Sequence, residues 1–264
     1  MSLYESIAAR LIGTPLQRPA EWLRDARGAR YRREHPELSE WFMEGERTEQ
    51  VLQRVIRPDT HCIDIGCHIG SFLQRLVTMA PFGHHHAVEP VPHKAAWLRR
   101  KFPMVTVHEV ALAASDGKAE FFVHPEQTSY SGLKARPAAG RAEPVTVQCR
   151  RLDDLIPEDA NIGFVKIDVN GAELLALRGA ERLLRRDRPF VLLECTRGGL
   201  DDYGIDPDEV FEQLRSVGYE LCLLKEWLAG GPALDVAAFR KSMEYPFQAF
   251  NFAAVPARPL ASSR

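Results

Sequence analysis

A chain of 264 residues, 45% hydrophobic and 27% charged, has the composition of a soluble globular protein with one large domain and an appendage. Its net charge of -2 excludes a global field that would draw it onto nucleic acid or a membrane surface. No stretch approaches the ~18 apolar residues of a membrane span. The Arg-rich start has no apolar run followed by a cleavage site, and the five cysteines form no CxxC pair, which reads as reduced thiols in a cytoplasmic protein.

Residues 1–58 read as a helical N-terminal extension or lid. A short helix is expected over Tyr4–Leu11. A longer one is expected over Leu38–Ile56, with Leu38, Phe42, Val51, Leu52 and Val55 as its apolar stripe and Pro58 closing it. Gly45 interrupts the stripe and allows two helices instead. Between Arg10 and Arg33 lie seven arginines, which read as a solvated face, with an acidic substrate or phosphate as the alternative. Trp22, Trp41 and Phe42 are the candidates for a lid over a binding site.

Residues 59–256 alternate strand-like and helix-like segments. Strands are expected at His61–Ile65, His85–Val88, Val105–Val110, Phe164–Asp168, Phe190–Glu194, Glu220–Leu224 and Phe247–Val255. Helices fall at Phe72–Met79, Pro92–Lys101, Ala172–Leu184 and Pro207–Val217. This pace indicates βαβ units on a parallel sheet. Ala119–Val123 and Val145–Arg150 break the rhythm as an inserted strand pair around a Ser-, Gly- and Pro-rich loop, Thr128–Pro144. Residues 257–264 read as a disordered tail.

The strongest local signal is Asp64-Ile-Gly66-Cys-His-Ile-Gly70, between a strand and a helix. In an open α/β sheet, ligands bind at the carboxyl ends of the strands where the winding reverses. The spacing is G-x-x-x-G rather than the G-x-G-x-x-G that seats a pyrophosphate. Asp64 just before it repels an anion and favours a cationic amino-acid moiety, such as the methionine end of S-adenosylmethionine. Glu89 closes the second strand, where a carboxylate accepts both hydroxyls of a ribose. Glu109 and Val110 end the third strand, where an adenine would lie, with Glu109 as acceptor for its amine.

These residues and others in order resemble the FkbM-type methyltransferases: Asp64–Gly70, Ala87-Val-Glu-Pro90, Val110-Ala-Leu112, Leu152-Asp-Asp-Leu155, Phe164–Glu173, Leu177-Arg-Gly-Ala180 and Val191-Leu-Leu-Glu194. The resemblance covers roughly residues 48–225. It implies a class I methyltransferase fold: a Rossmann-like, doubly wound, mostly parallel seven-stranded sheet with an antiparallel last strand. It also implies S-adenosylmethionine as donor, S-adenosylhomocysteine as product, and a hydroxyl acceptor on a sugar, natural product or other small metabolite. Two departures stand out. Cys67-His68 replaces the family's usual Ala-Asn, and Asn170 replaces a glutamate in Lys166-Ile-Asp-Val-Asn-Gly171.

Methyl transfer needs an aligned acceptor, excluded water and, for a hydroxyl, a base. Asp168, ending the fourth strand, is the candidate base; a helix cap is its plainer reading. Glu173 and His124 complete the catalytic candidates. For Glu173 the alternative is complementarity to the helix dipole. The cofactor set is Asp64, Gly66, His68, Gly70 and Ser71 on the loop, then Glu89, Glu109, Val110 and Asp168. Asp168 and Glu194 are the pair to which a divalent cation would fall, but Asn170 weakens the ligand set and no metal is expected. The His84-His85-His86 run cannot converge on one ion in a strand, because its side chains alternate. Ser129-Tyr-Ser-Gly132 is a segment expected near the cofactor. The favoured function is an O-methyltransferase for a small molecule or glycan, with no nucleic-acid partner and no stable membrane insertion. The alternatives are a degenerate, non-catalytic binding module or a non-hydroxyl acceptor. Oligomeric state is left open, a homodimer included.

Overall fold

The computed structural model describes residues 3–17, 19–20 and 28–257. Trp22, much of the arginine-rich run and residues 258–264 of the expected tail lie outside the described residues. Before the sheet come α1 (Leu3–Leu11), α2 (Ala29–Glu34), α3 (Ser39–Phe42) and α4 (Glu44–Val55). The expected long helix is thus broken, but at Met43 and not at Gly45. Glu44, at the start of α4, is buried and accepts a hydrogen bond from the Asn251 N–H at 3.0 Å, which ties the helix start to the sheet.

The strands are β1 (His61–Ile65), β2 (His85–Val88), β3 (Val105–His108), β4 (Ala111–Leu112), β5 (Gly117–Val123), β6 (Glu143–Arg150), β7 (Ile162–Ile167), β8 (Phe190–Glu194), β9 (Tyr219–Leu223) and β10 (Asn251–Pro256). The remaining helices are α5 (Ser71–Met79), α6 (Pro92–Lys101), α7 (Glu173–Arg178), α8 (Glu181–Asp187), α9 (Arg197–Tyr203), α10 (Pro207–Ser216), α11 (Leu224–Ala229) and α12 (Val236–Ser242). The main sheet has seven strands in the order β3-β2-β1-β7-β8-β10-β9. β10 alone runs antiparallel to its neighbours. This is the doubly wound sheet expected from the sequence, and its winding reverses between β1 and β7.

Period-two alternation explains how one set of strands buries two faces. Ile63, Val165, Val191 and Leu193 pack with Leu174, Leu177, Leu184 and Leu214 of α7, α8 and α10. Cys62, Phe164, Leu192 and Ala253 face the other way, onto Val51, Leu52 and Leu76 of α4 and α5. Each such fully buried aliphatic side chain contributes roughly 1.5–3 kcal/mol. The same alternation sets Asp64, Lys166, Asp168 and Glu194 on one face, at the carboxyl ends of adjacent strands, with Asp64 directly opposite Lys166 in register.

The inserted pair is a three-stranded sheet, β4-β6-β5, with the two-residue β4 joined in parallel to β6. The five cysteines are buried and unpaired. Among the described residues no helix is long and apolar enough to cross a membrane.

Candidate active site

At the β1/β7 switch point the chain encloses a cavity of about 450 Å³. Its walls come from the β1 end (Gly66, His68, Ser71), the β2 end (Glu89, Pro90, Val91, Lys94), Val110 before β4 and Leu112 within it, and the β7 end (Asp168, Asn170), with Thr128, Ser131 and Leu133 of the inserted loop closing it.

The β1 loop is shaped by a close approach. A Cβ on Gly66, at φ 79°, would lie 1.8 Å from the Asp168 carbonyl oxygen, so only glycine lets the loops after β1 and β7 touch. The Gly66 N–H donates to Val88 O at 3.0 Å and the Asp168 N–H to Ile65 O at 3.1 Å, extending the ladders into the loops. Under this loop Asp64 is fully buried, and neither carboxylate oxygen has a hydrogen-bond partner. Burial pushes its pKa up to about 6, against the opposing charge of Lys166.

Glu89 forms the β2 corner. Its two oxygens accept the N–H groups of His68 (3.0 Å) and Val91 (2.9 Å), and burial raises its pKa, with Lys94 opposing. His68 has φ 53°, and its Nε2 lies 2.9 Å from Thr128 Oγ1.

At the β7 end Lys166 Nζ stands 2.7 Å from Asp168 Oδ2 and 5.1 Å from the centre of the Phe72 ring. Burial lowers the Lys166 pKa, but the charges of Asp168, Asp64 and Glu194 outweigh it and hold the ammonium above the ordinary lysine range. Glu194 rises to about 8, chiefly by burial and then by the charge of Asp168. Asn170 sits at φ 54°, a left-handed position that asparagine tolerates and glutamate does not favour. Its Nδ2 donates to Ser131 O at 3.4 Å, tying the β7 turn to the inserted loop.

Of the expected site residues, Gly66, His68, Ser71, Glu89, Val110 and Asp168 line the cavity, and Asp64 lies beneath it. Four others lie off its lining. Gly70 is the left-handed cap of α5, where a Cβ would run into Phe102 and Leu98. Glu109 turns away from the cavity, with one oxygen accepting from Arg99 at 2.8 Å. His124 is buried with both ring nitrogens tied to backbone: Nδ1 lies 3.1 Å from Arg141 O, and Nε2 accepts from the Arg136 N–H at 3.3 Å. Glu173 folds back to accept the Gly171 N–H at 2.9 Å, capping its own turn. Tyr130 is exposed and faces Arg136, while its neighbours Thr128 and Ser131 reach the cavity. In the histidine run, His85 bonds Ala80 O at 2.8 Å and His86 pairs with His108 at 3.1 Å, so the two rings diverge. Lys94 also lines the cavity; in the sequence its only sign is a lysine in the first turn of α6, which opposes the helix dipole and thereby signals a local acid.

Burial pushes the Glu173 pKa up to about 7, while the Gly171 N–H opposes the rise. The folded form therefore keeps a proton that the unfolded chain releases from its ordinary value of 4.5 upward. Its stability contribution is full below that value and is lost as pH rises through about 7. Glu173→Gln is expected to remove this slope, gaining on the order of 2 kcal/mol relative to wild type between pH ~5 and ~8. Thermal melts of both proteins at the two pH values check this; parallel shifts would contradict it.

The model of the methyltransferase FkbM domain matches residues 64–221, from Asp64 under the cavity to the middle of β9. The chain belongs to the FkbM methyltransferase family. This places it among the S-adenosylmethionine-dependent methyltransferases. It is 29% identical over 165 residues to the 2-O-methyltransferase NoeI of Sinorhizobium fredii, covering 55% of this chain and 67% of that protein. Among solved structures, methyltransferase FkbM from Methylobacillus flagellatus is similar at 18% identity and TM-score 0.44, covering 75% of this chain. This FkbM chain spans 44% of that protein's length. The plantazolicin methyltransferase BpumL, solved with SAH, is similar at 10% identity and TM-score 0.42, over 95% of this chain and 94% of that one.

Proposed function

We propose that this chain transfers a methyl group from S-adenosylmethionine to a hydroxyl oxygen of a sugar, glycolipid or natural-product small molecule, releasing S-adenosylhomocysteine. The observation that carries the reading is Asp168, held by Lys166 at 2.7 Å on the cavity wall and still 28% exposed. The 2-O-methyltransferase relative supports oxygen as the acceptor atom. In this reading residues 59–256 are the catalytic domain and 1–58 a lid-forming extension.

The cavity's chemistry fits the cofactor. Asp64 places a buried acid, opposed by the charge of Lys166, beneath the cavity floor, Glu89 offers spare lone pairs to hydroxyl donors, and Gly66 removes the side chain that would block the floor. Val110, Ala111 and Leu112 supply an apolar slot for a purine. When bound, the cofactor supplies a methyl group already activated on a sulfonium. The protein must then align the acceptor and take its proton. Asp168 accepts that proton at a carboxylate oxygen, and Lys166, packed on Phe72, fixes the direction of the carboxylate. Lys166 Nζ, 2.7 Å from Asp168 Oδ2, already supplies a positive charge to this group of acids. Asn170 meets a backbone need at φ 54° and leaves Asp168 intact, so its presence does not argue for a degenerate site.

The test is incubation with methyl-labelled S-adenosylmethionine and a panel of mono- and oligosaccharides, glycolipids and phenols. Label is expected in an alkali-stable methyl ether. Label only on nitrogen or sulfur, or none across the panel from a protein that binds the cofactor, would overturn the oxygen assignment.

A further inference from the structure

We propose that Glu5 of α1, a residue outside the stretch that matches the family, completes the cofactor site as a positioning residue for His68 and Lys94. The inference rests on the reading that S-adenosylmethionine occupies the cavity. Glu5 is 5% exposed, and its Oε1 lies 3.0 Å from His68 Nε2 and 3.4 Å from Lys94 Nζ. Both partners line the cavity. Lys94 is itself only 2% exposed and also faces the charge of Glu89. His68 Nε2 reaches Thr128 as well, so one ring joins α1, the β1 loop and the inserted loop around the cavity rim.

Packing alone does not call for an acid here. Ala9 and Ile12 already dock the N-terminal segment on Cys67, Ile69, Leu73, Leu98 and Phe102. Bringing a carboxylate into a buried contact costs several kcal/mol of desolvation, which a well-packed apolar side chain avoids. The carboxylate at position 5 therefore has a use that packing lacks. Lys94 stands between two acids. Drawn toward Glu5, its ammonium does not close fully on Glu89, whose remaining lone pairs stay open to ligand hydroxyls. With Glu5 removed, Lys94 collapses onto Glu89, and His68 loses one of the two groups that fix its ring. The residues at the reacting end, Asp168 and Lys166, are untouched.

The test is Glu5→Ala, with calorimetric titration of S-adenosylhomocysteine and steady-state kinetics. Kd for S-adenosylhomocysteine and KM for S-adenosylmethionine are expected to rise ~10-fold or more, as befits removal of a buried carboxylate that faces the Lys94 ammonium. The kcat should stay within about threefold, since the loss is in uniform binding. Glu5→Gln, which keeps an acceptor without charge, should fall between, and serves alone if Glu5→Ala does not fold. Ile12→Ala loosens the docking of α1 without touching the acid, and should raise KM less than Glu5→Ala does. Kd and KM within twofold of wild type, or an equal loss in Ile12→Ala, would overturn the proposal. A wild type that binds no S-adenosylhomocysteine would overturn the cofactor reading along with it, whereas normal wild-type binding and unaffected Glu5→Ala would overturn this inference alone.

Discussion

Asp168→Asn is expected to cut kcat by ~10²-fold or more while leaving the affinity for S-adenosylhomocysteine within about threefold. The substitution keeps the shape of the side chain and an oxygen to accept from Lys166, but removes the capacity to take a proton. Lys166 retains Asp64 as a countercharge, and Glu194 ionises more readily once the charge of Asp168 is gone, so the sheet edge should remain assembled. The size of the loss also apportions the catalysis. A general base accounts for ~10²–10⁴-fold, while alignment of donor and acceptor supplies roughly 7–11 kcal/mol of the barrier. A variant with unchanged turnover at saturating acceptor would assign the whole rate to alignment and remove Asp168 as the base. Single-turnover rates, with binding measured separately, decide between the two.

The parts of this molecule that were legible from sequence are those fixed by local register. β1 and β8 begin and end where the apolar runs do, and α6 starts at Pro92, whose fixed φ suits the first helical turn. Asp64, Glu89 and Asp168 were legible for the same reason: a residue at the end of a parallel strand at the switch point has little freedom in where it lies. What was missed depends on distant partners. The expected helix Ala172–Leu184 is two helices, interrupted at Gly179 and Ala180, and at this break the chain packs against a distant segment: a Cβ at Gly179 would come 2.4 Å from the Ala113 carbonyl oxygen of the inserted region. β4 has two residues and no pattern to read. α9, α11 and α12 went unrecognised; their lengths of 6 or 7 residues give less than two full turns of periodicity. The side chains of Glu109, His124 and Glu173 were assigned to the site by proximity in sequence. Arg99, the backbone of Arg136 and Arg141, and the Gly171 turn turn them elsewhere. Glu5 carries no sequence signal, since its partners are 63 and 89 positions away in the chain.

Glu89→Ala is the second large effect, and it bears on the cofactor directly. Glu89 is 4% exposed, anchors the His68 and Val91 N–H groups, and presents the acceptor to which ribose hydroxyls would donate. Each hydrogen bond to a charged group contributes about 1.5–3 kcal/mol, so losing two should weaken binding by ~100-fold or more. Glu89→Gln, which preserves the volume and one acceptor oxygen, should lose less and separates ligand contact from collapse of the loop.

The most direct measurement is calorimetric titration of wild type and Glu89→Ala with S-adenosylhomocysteine, with NAD as the control ligand. Wild type is expected to bind at a Kd of roughly micromolar order, equivalent to about -8 kcal/mol. No binding of NAD is expected, and a loss of ~100-fold or more in a folded Glu89→Ala. A folded wild type that takes up no S-adenosylhomocysteine, or a Glu89→Ala that binds it as tightly as wild type, would contradict the placement of the cofactor in this cavity.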